Sequence, residues 1–296
     1  MFEAMAEEAA FCGSDDIKSI LILGGGIAGL TAAEEARKCL ADVKITLISK
    51  EVGLPYYRLN LTRYLAGEIS EAELPMQTGD WFTQQKINLI EGEALQIDRQ
   101  QKQVSLRDGR SFGYDRLVLA NGSHPFVPPI PGATRAGINT LRTANDARKI
   151  LQELQPGQNT VCIGGGLLGL ETAAALARQG AKVTVLEGHS WPMPRQLPQS
   201  AGEQLKAHLE KMGIKVLCGV TIQELAGDEH LRSVILSDGQ EIPAAMVVIS
   251  AGVRPNSCLA RQAALKVKSG LLVDDRMATS DPDIFAAGDI TEHNGR

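Results

Sequence analysis

Apolar residues along this chain follow two patterns, short unbroken runs and longer segments with helical spacing. The unbroken runs predict buried strands over Ser19–Leu23, Val43–Ser49, Thr160–Ile163 and Lys182–Leu186. The helical segments predict helices over Ile27–Leu40 and Leu168–Gln179, between the two members of each pair of strands. The pattern therefore predicts two βαβ units, one near the start of the chain and one in its middle.

Shorter segments that join at an Asp-Gly turn follow each βαβ unit. The turns are at Asp108–Arg110 and Asp238–Gln240, and each predicts a hairpin. Because strand, loop, helix, strand and hairpin occur twice in the same order, two similar domains are favoured over one large sheet.

Two segments predict crossings between these domains. Ser123–Gly132 contains four prolines and no periodicity, and the sequence AGVRPN follows a predicted strand at Met246–Ser250. The second domain is therefore predicted to be inserted into the first. The predicted boundaries are a tail over residues 1–17, a discontinuous first domain over 18–130 plus 251–296, and a second domain over 131–250.

Composition excludes several classes of function. A hydrophobic content of 44 % predicts a globular core, and a net charge of −5 with 4 % aromatic residues argues against nucleic acid or an anionic membrane as a partner. The five cysteines form no close pair, which excludes a disulfide framework and predicts no metal site. The acidic N-terminus lacks the basic region of a secretory signal, so we expect a cytoplasmic protein.

The sequence G-x-G-x-x-G occurs once in each βαβ unit, between the strand and the helix. In such a loop the first glycine allows a tight turn, the second admits a pyrophosphate, and the third lets helix and strand pack closely. A single match also occurs in ordinary glycine turns, but two matches in the same context favour two dinucleotide sites. The glycines are Gly24, Gly26 and Gly29 in the first copy and Gly164, Gly166 and Gly169 in the second.

An acidic residue that accepts ribose hydroxyls is expected about 20 residues beyond each loop. Glu187 ends the second strand of the second copy, and an acid there favours NAD(H) because it repels the 2′-phosphate of NADP(H). In the first copy the best acid is Glu51, which lies slightly late and follows Lys50. An ordinary exposed loop glutamate stays the alternative for Glu51.

Seven motifs in order resemble the FAD-dependent pyridine nucleotide–disulfide oxidoreductase superfamily. They are GGGIAG (Gly24–Gly29), LPYYRLNLTRYLAG (Leu54–Gly67), LVLANGSHP (Leu117–Pro125), GGGLLGLE (Gly164–Glu171), PMPRQL (Pro192–Leu197), GVRPN (Gly252–Asn256) and TSDPDIFAAGD (Thr279–Asp289). Within that family the chain looks most similar to NADH:rubredoxin reductases, the flavin part of assimilatory nitrite reductase and the ferredoxin reductases of oxygenase systems. The resemblance implies an α/β fold of two Rossmann-like, glutathione-reductase-type domains, each with an added small antiparallel sheet.

The resemblance also implies the site residues. Glu171 and Arg63 are expected where nicotinamide and flavin meet, where the resemblance allows an ion pair between them; alternatively Glu171 is a helix-start acid favoured by the helix dipole. The implied FAD contacts are Gly24, Gly26, Ile27, Ala28, Gly29, Lys50, Glu51, Arg58, Arg63, Ala120, Asn121, Gly122 and Asp289. The implied NAD(H) contacts are Gly164, Gly166, Leu167, Leu168, Gly169, Glu187, Gly252 and Arg254.

The implied reaction is hydride transfer from NADH to FAD, followed by electron transfer to a small redox protein, for which rubredoxin is the leading expectation. The alternatives are the flavin component of a nitrite reductase, an NADH oxidase, and a nucleotide-binding sensor without turnover. A thiol mechanism is disfavoured because no cysteine occurs between Asp42 and Thr160. The cysteines at 39, 162, 218 and 258 are interpreted as packing residues.

The resemblance raises two further expectations about partners. Rubredoxins are acidic, so a basic patch is expected, to which Arg58, Arg63 and Arg142 are candidates to contribute. Family members continue past the motif at Asp289 with a C-terminal interface domain of about 80–100 residues. Since this chain stops seven residues after Asp289, we expect that domain to be absent and a homodimer to belong to the full-length form.

Overall fold

A computed structural model describes residues 17–295. The predicted tail therefore lies outside the described residues, except for Ile17. The strands, in chain order, are β1 (Ser19–Leu23), β2 (Lys44–Ser49), β3 (Ile87–Glu91), β4 (Ala94–Asp98), β5 (Gln103–Leu106), β6 (Ser111–Gly113), β7 (Arg116–Leu119), β8 (Ser123–Pro125), β9 (Ile138–Thr140), β10 (Asn159–Ile163), β11 (Lys182–Glu187), β12 (Lys215–Cys218), β13 (Ile222–Gly227), β14 (Leu231–Leu236), β15 (Glu241–Pro243), β16 (Met246–Ile249), β17 (Val253–Pro255), β18 (Leu271–Leu272), β19 (Ile284–Ala286) and β20 (Thr291–Glu292). The α-helices are α1 (Ile27–Cys39), α2 (Leu61–Leu65), α3 (Gly79–Gln84), α4 (Ala144–Glu153), α5 (Leu167–Arg178), α6 (Gln199–Lys211) and α7 (Cys258–Gln262).

The described residues form two units. The first unit contains residues 17–56, 75–123 and 255–295, and the second unit contains 57–74 and 124–254. The boundaries thus fall at 123/124 and 254/255, where the sequence predicted 130/131 and 250/251. Residues 57–74, which the sequence predicted as part of the first domain, belong to the second unit.

The first unit is built on a parallel sheet in the order β19-β7-β1-β2-β3. β1 lies between β2 and β7. In the middle of this sheet, Leu21 and Ile22 of β1 and Leu47 of β2 are fully buried. Burial on both faces explains why these strands read as unbroken apolar runs. Helix α1 covers one face, and the small antiparallel sheet β4-β5-β6 packs its apolar side chains against the other.

The second unit repeats this arrangement with a parallel sheet in the order β12-β11-β10-β16-β9. Helix α5 buries Leu170, Ala173 and Leu176. The antiparallel sheet β13-β14-β15 contributes Leu225 and Val234 to the core. The predicted α/β class and the paired Rossmann-like folds with added small sheets are confirmed.

Residues 57–74 contain α2 and two short 3₁₀ helices, Arg58–Asn60 and Glu71–Glu73. Helix α2 packs against α4 and α5, with Leu61 and Leu65 buried. At the end of α5 the Gln179 side-chain amide donates to the Leu65 carbonyl oxygen at 3.1 Å. A five-residue helix is too short to show a hydrophobic period, which is why the sequence pattern indicated no element here.

Residues 17–295 lack two kinds of feature. None of the helices described there combines the length and apolar character needed to cross a membrane. The same residues contain no group of three or more histidine, cysteine, aspartate or glutamate side chains positioned to hold a metal ion.

Candidate nucleotide-binding sites

The first glycine loop joins β1 to α1, and the fold itself requires two of its glycines. Gly24 has a φ of 119°, and a Cβ on it would lie 2.2 Å from the carbonyl oxygen of Ala120. A Cβ on Gly29 would lie 1.9 Å from the carbonyl oxygen of Gly24. Both distances are far below van der Waals contact, so any side chain at either position displaces backbone.

The middle glycine, Gly26, is not required by the chain. Its φ of −80° and ψ of −178° are extended backbone open to any residue, and a Cβ there would meet nothing within 4 Å. Gly26 is the N-cap of α1 and supplies no side-chain cap, so the first amides of the helix face open space. Backbone amides without a partner in the helix, next to a glycine without a Cβ, fit a pyrophosphate group; this glycine and the amides that follow it are called the first cradle.

The second glycine loop, between β10 and α5, repeats each of these features. Gly164 has a φ of 110°, and its Cβ would lie 2.5 Å from the carbonyl oxygen of Ser250. A Cβ on Gly169 would lie 2.0 Å from the Gly164 oxygen, whereas one on Gly166 would meet nothing within 4 Å. Each unit therefore offers its own pyrophosphate cradle.

Apolar side chains stand exposed in the first turn of the helix after each loop. Ile27 is 55 % exposed in α1, and Leu167 and Leu168 are 57 % and 41 % exposed in α5. These three residues were predicted as nucleotide contacts. Their exposure next to the open glycines is consistent with that prediction, because a bound nucleotide would cover apolar surface.

Glu187 lies at the carboxyl end of β11 and is anchored to the second loop. It is only 7 % exposed, and its Oε2 accepts a hydrogen bond from the Gly165 backbone N–H at 2.7 Å. Its Oε1 accepts from the His189 backbone N–H at 2.8 Å. The predicted ribose acid therefore sits beside the second cradle.

The matching position in the first unit is Ser49. The strand registers pair Leu23 with Ile48 and Ile163 with Leu186, so Ser49 and Glu187 are the next residues at equivalent places. The Ser49 hydroxyl donates to the backbone oxygen of Glu51 at 3.1 Å. The first unit thus has a serine where the second unit has an acid. Glu51, the acid predicted for the first unit, follows that position by two residues.

Lys50 and Glu51, the next predicted contacts of the first unit, both have partners. Lys50 Nζ lies 2.9 Å from Glu93 Oε1, and hydrogen bonds from Lys50 and then Arg107 hold the pKa of Glu93 below its ordinary value. The Tyr56 hydroxyl donates to Glu51 Oε2. Sequence reasoning missed Tyr56, whose contact with Glu51 depends on how the following loop folds back.

The remaining predicted contacts in the first unit converge at the carboxyl ends of β7 and β19. The Ser123 hydroxyl donates to Asp289 Oδ2 at 2.8 Å, and a Cβ on Gly288 would lie 3.0 Å from Ala28 Cβ. Asn121 follows Ala120, whose carbonyl oxygen lies next to Gly24 of the first loop. The strands are parallel, so the chain brings Ala120, Asn121, Gly122 and Asp289 to the edge that carries the first glycine loop.

Arg58 and Arg63, predicted as FAD contacts, lie in the second unit because their segment packs there. Arg58 Nη1 donates to the Arg142 carbonyl oxygen at 2.7 Å, so two residues of the expected basic patch are neighbours. Arg63 Nε lies 3.3 Å from Glu68 Oε2. The expected Arg63–Glu171 pair is not formed.

Glu171 instead meets the residue before Arg63. The Thr62 hydroxyl donates to Glu171 Oε2 at 3.1 Å, and Thr62 is 8 % exposed. Sequence reasoning missed Thr62, since nothing in a pattern of local spacing links it to a residue 109 positions away.

The end of the second unit carries Gly252 and Arg254. Gly252 has a φ of 101°, which favours glycine, and the Arg254 guanidinium lies over the Phe126 ring at 4.4 Å from its centroid. Beside the second loop, the Met193 N–H donates to the Gly165 carbonyl oxygen at 2.9 Å. Phe126 and Met193 were not predicted as site residues.

The cysteines differ in environment. Cys162 is fully buried in β10, and that burial raises its pKa to about 12. Cys39 and Cys258 are exposed, so their interpretation as packing residues is wrong: each lies at a helix end, where the periodic pattern gives no reliable face. Cys218 is half-buried, and desolvation raises its pKa.

Comparison with known proteins relates this chain to one protein family. The family model described as pyridine nucleotide-disulphide oxidoreductase matches residues 18–296. The assimilatory nitrate reductase electron transfer subunit of Bacillus subtilis is 36 % identical over 278 residues, covering 93 % of this chain and 36 % of that protein. The biphenyl dioxygenase system ferredoxin–NAD(+) reductase component of Paraburkholderia xenovorans is 36 % identical over 276 residues, covering 93 % of this chain and 67 % of that protein.

A solved structure agrees with these matches. NADH:rubredoxin oxidoreductase from Clostridium acetobutylicum aligns with a TM-score of 0.79 and 33 % identity, over 94 % of this chain and 70 % of that one. The chain spans about a third of the length of the nitrate reductase subunit. Together the matches confirm the predicted family and fold, and the family implies the FAD and NAD(H) cofactors. The chain belongs to the pyridine nucleotide-disulphide oxidoreductase family.

Proposed function

We propose that this chain is an FAD-dependent NADH oxidoreductase that passes electrons from NADH through FAD to a small redox protein. The observation that carries the proposal is the pair of open glycines, Gly26 and Gly166. Each lies at the start of a helix with uncapped amides, and neither is needed by the backbone or by packing. Two such cradles in one chain support two bound dinucleotides.

FAD is assigned to the first unit. The amides after Gly24 would hold its pyrophosphate, and Glu51, oriented by Tyr56, would accept its ribose hydroxyls. Asp289, fixed by the Ser123 hydroxyl, would accept a hydrogen bond from its ribitol chain. The assignment rests on these groups sharing one sheet edge with the first loop.

NAD(H) is assigned to the second unit. The amides after Gly164 would hold the pyrophosphate, and Glu187 would accept the ribose hydroxyls and exclude the 2′-phosphate of NADP(H). Each carboxylate oxygen of Glu187 has one backbone donor and retains lone pairs for a ribose. Glu171 and Arg254 are the charged groups proposed to contact the rest of the nucleotide.

When both nucleotides are bound, the nicotinamide supplies a hydride and the flavin accepts it, so the cofactors carry the redox chemistry. The protein binds and orients the two nucleotides. Cys162, which lies two residues before the second glycine loop, is assigned no part in the reaction, because its thiol is buried and its pKa is raised to about 12.

Rubredoxin is the acceptor proposed first, with NADH:rubredoxin oxidoreductase from Clostridium acetobutylicum as the supporting likeness. A second candidate is the flavin component of a nitrate or nitrite assimilation system, which the 36 % identity to the Bacillus subtilis subunit favours.

The experiment is anaerobic reduction. The protein is reconstituted with FAD, NADH is added, and the visible absorbance of the flavin is followed; bleaching is expected. Oxidised rubredoxin, a ferredoxin or oxygen is then added to separate samples, and the fastest recovery of absorbance identifies the acceptor. Protein that binds FAD but is not bleached by NADH would contradict the proposal and favour a nucleotide-binding sensor.

A further inference from the structure

The short helix α2 is held against α5 at both of its ends. At one end the Thr62 hydroxyl donates to Glu171, and at the other the Leu65 carbonyl accepts from Gln179. Glu68, just beyond α2, forms an ion pair with Arg178. Because Glu171 lies near the start of α5 and Arg178 and Gln179 lie at its C-terminal end, these contacts span the length of the helix, and the position of Thr62 relative to Glu171 is set by the packing of two helices.

The Thr62 hydroxyl has one proton and two acceptors within reach. Glu171 Oε2 lies at 3.1 Å, and the carbonyl oxygen of Leu59, three residues earlier, lies at 3.4 Å. The carboxylate is both nearer and charged, and hydrogen bonds to charged acceptors are stronger than those to neutral ones. The proton therefore belongs to the bond with Glu171.

Arg63, the residue expected to hold Glu171, is engaged elsewhere. Its Nε lies 3.3 Å from Glu68 Oε2 and its Nη1 lies 3.4 Å from Asn60 Oδ1. Among residues 17–295, the structure records no ion pair to Glu171. Within that range, the Glu171 side chain accepts one hydrogen bond, from the Thr62 hydroxyl.

We propose that Thr62 is the positioning residue of Glu171. Its buried hydroxyl, an uncharged donor, holds the carboxylate by one hydrogen bond and leaves the negative charge without a fixed counter-charge. The inference rests on the proposed function, in which Glu171 contacts the NADH bound by the second unit. It goes further by naming the group that orients Glu171.

The first test uses protein without nucleotides. Thermal unfolding is measured for Thr62→Val, Glu171→Gln and the double variant. Thr62→Val removes the donor and Glu171→Gln replaces the charged acceptor by a neutral amide oxygen, so both changes act on the same bond and are expected to be non-additive. Thr62→Ser keeps the hydroxyl, so it should keep the hydrogen bond and show little coupling with Glu171→Gln. Thr83→Val removes a helical threonine hydroxyl that donates to the Gly79 carbonyl oxygen, so it should show no coupling with Glu171→Gln. Additive effects of Thr62→Val and Glu171→Gln would overturn the proposal.

The second test uses FAD-loaded protein. Thr62→Val should raise the dissociation constant for NADH or slow flavin bleaching by about tenfold or more, in line with the loss of one hydrogen bond to a charged group. The same change should have a smaller effect in the Glu171→Gln background, where the acceptor is neutral, and Thr62→Ser should behave as the parent protein. If Arg63→Ala couples to Glu171→Gln and Thr62→Val does not, Arg63 holds the carboxylate and the proposal is wrong. A parent protein that NADH cannot bleach would contradict the proposed function, whereas the nucleotide-free cycle would still decide whether Thr62 holds Glu171.

Discussion

Glu187 and Gly165 are joined by a hydrogen bond of 2.7 Å from the glycine N–H to the buried carboxylate, across 22 residues of chain. The bond ties the end of β11 to the glycine loop that follows β10. A Cβ on Gly165 would lie 2.8 Å from the same carboxylate oxygen, so the loop approaches the acid as closely as a glycine permits. The position of the acid and the shape of the loop are therefore determined together.

Replacing Glu187 should affect the two nucleotides unequally. Glu187→Ala removes the ribose acceptor and leaves two backbone donors unpaired, so we expect NADH affinity to fall by about tenfold or more while FAD affinity is retained. Fluorescence titration with each nucleotide measures both. Glu51→Ala is the reciprocal variant and should weaken FAD binding only. Equal losses of both nucleotides in Glu187→Ala would refute the assignment of NAD(H) to the second unit.

The two classes of glycine should separate folding from binding. Gly26→Ala and Gly166→Ala place a Cβ in open space, so the free energy of unfolding should change by less than about 1 kcal/mol, the usual difference between glycine and alanine at an N-cap. Each should nevertheless obstruct its own cradle, Gly26→Ala for FAD and Gly166→Ala for NADH.

Gly29→Ala and Gly169→Ala are the matched controls for those variants. Their Cβ atoms would lie 1.9 Å and 2.0 Å from backbone oxygens, so the proteins should be strongly destabilised even without nucleotide. Thermal unfolding with and without FAD or NADH distinguishes the classes. Full NADH affinity in folded Gly166→Ala would contradict the assignment of the NAD(H) pyrophosphate to the second glycine loop.

Glu292 should make the stability of the first unit depend on pH. Its buried carboxylate accepts hydrogen bonds from the backbone N–H groups of Ser269 and Gly270 and from the Ser269 hydroxyl. These bonds, the one from Gly270 above all, lower the pKa of Glu292. Because the folded pKa is below the unfolded one, the stabilisation is present above the ordinary value of 4.5 and is lost as the pH falls through the folded pKa. The melting temperature of Glu292→Gln should thus be lower than that of the parent at pH 7, and the difference should shrink in acid. A difference that is constant over this range would show that the charge of Glu292 does not contribute.

Thiol reactivity should follow burial. A chromogenic disulfide reagent at mildly alkaline pH should label Cys39 and Cys258 in the folded protein and leave Cys162 unlabelled until denaturant is added, because burial raises the Cys162 pKa to about 12. A Cys12→Ser background removes the signal of the tail. Cys162→Ser is expected to keep NADH-dependent bleaching of FAD, and its loss in a folded variant would argue for a thiol step.

Much of the fold follows from local pattern. The unbroken runs at β1, β2, β10 and β11 predicted buried parallel strands because both faces of those strands are covered, and the structure places each within one residue of the expected bounds. The two glycine loops were recognisable because a tight turn, a close approach and helix packing each demand glycine at a set spacing.

What the sequence determined by itself was the doubled strand, glycine loop and helix, together with the acid at Glu187. Tertiary structure decided which unit holds residues 57–74, that Ser49 occupies the place of Glu187 in the first unit, and that Thr62 rather than Arg63 bonds Glu171. The physical reason is distance along the chain. Turns and strands follow from neighbouring residues, whereas a hydrogen bond between side chains 109 residues apart depends on how two helices pack.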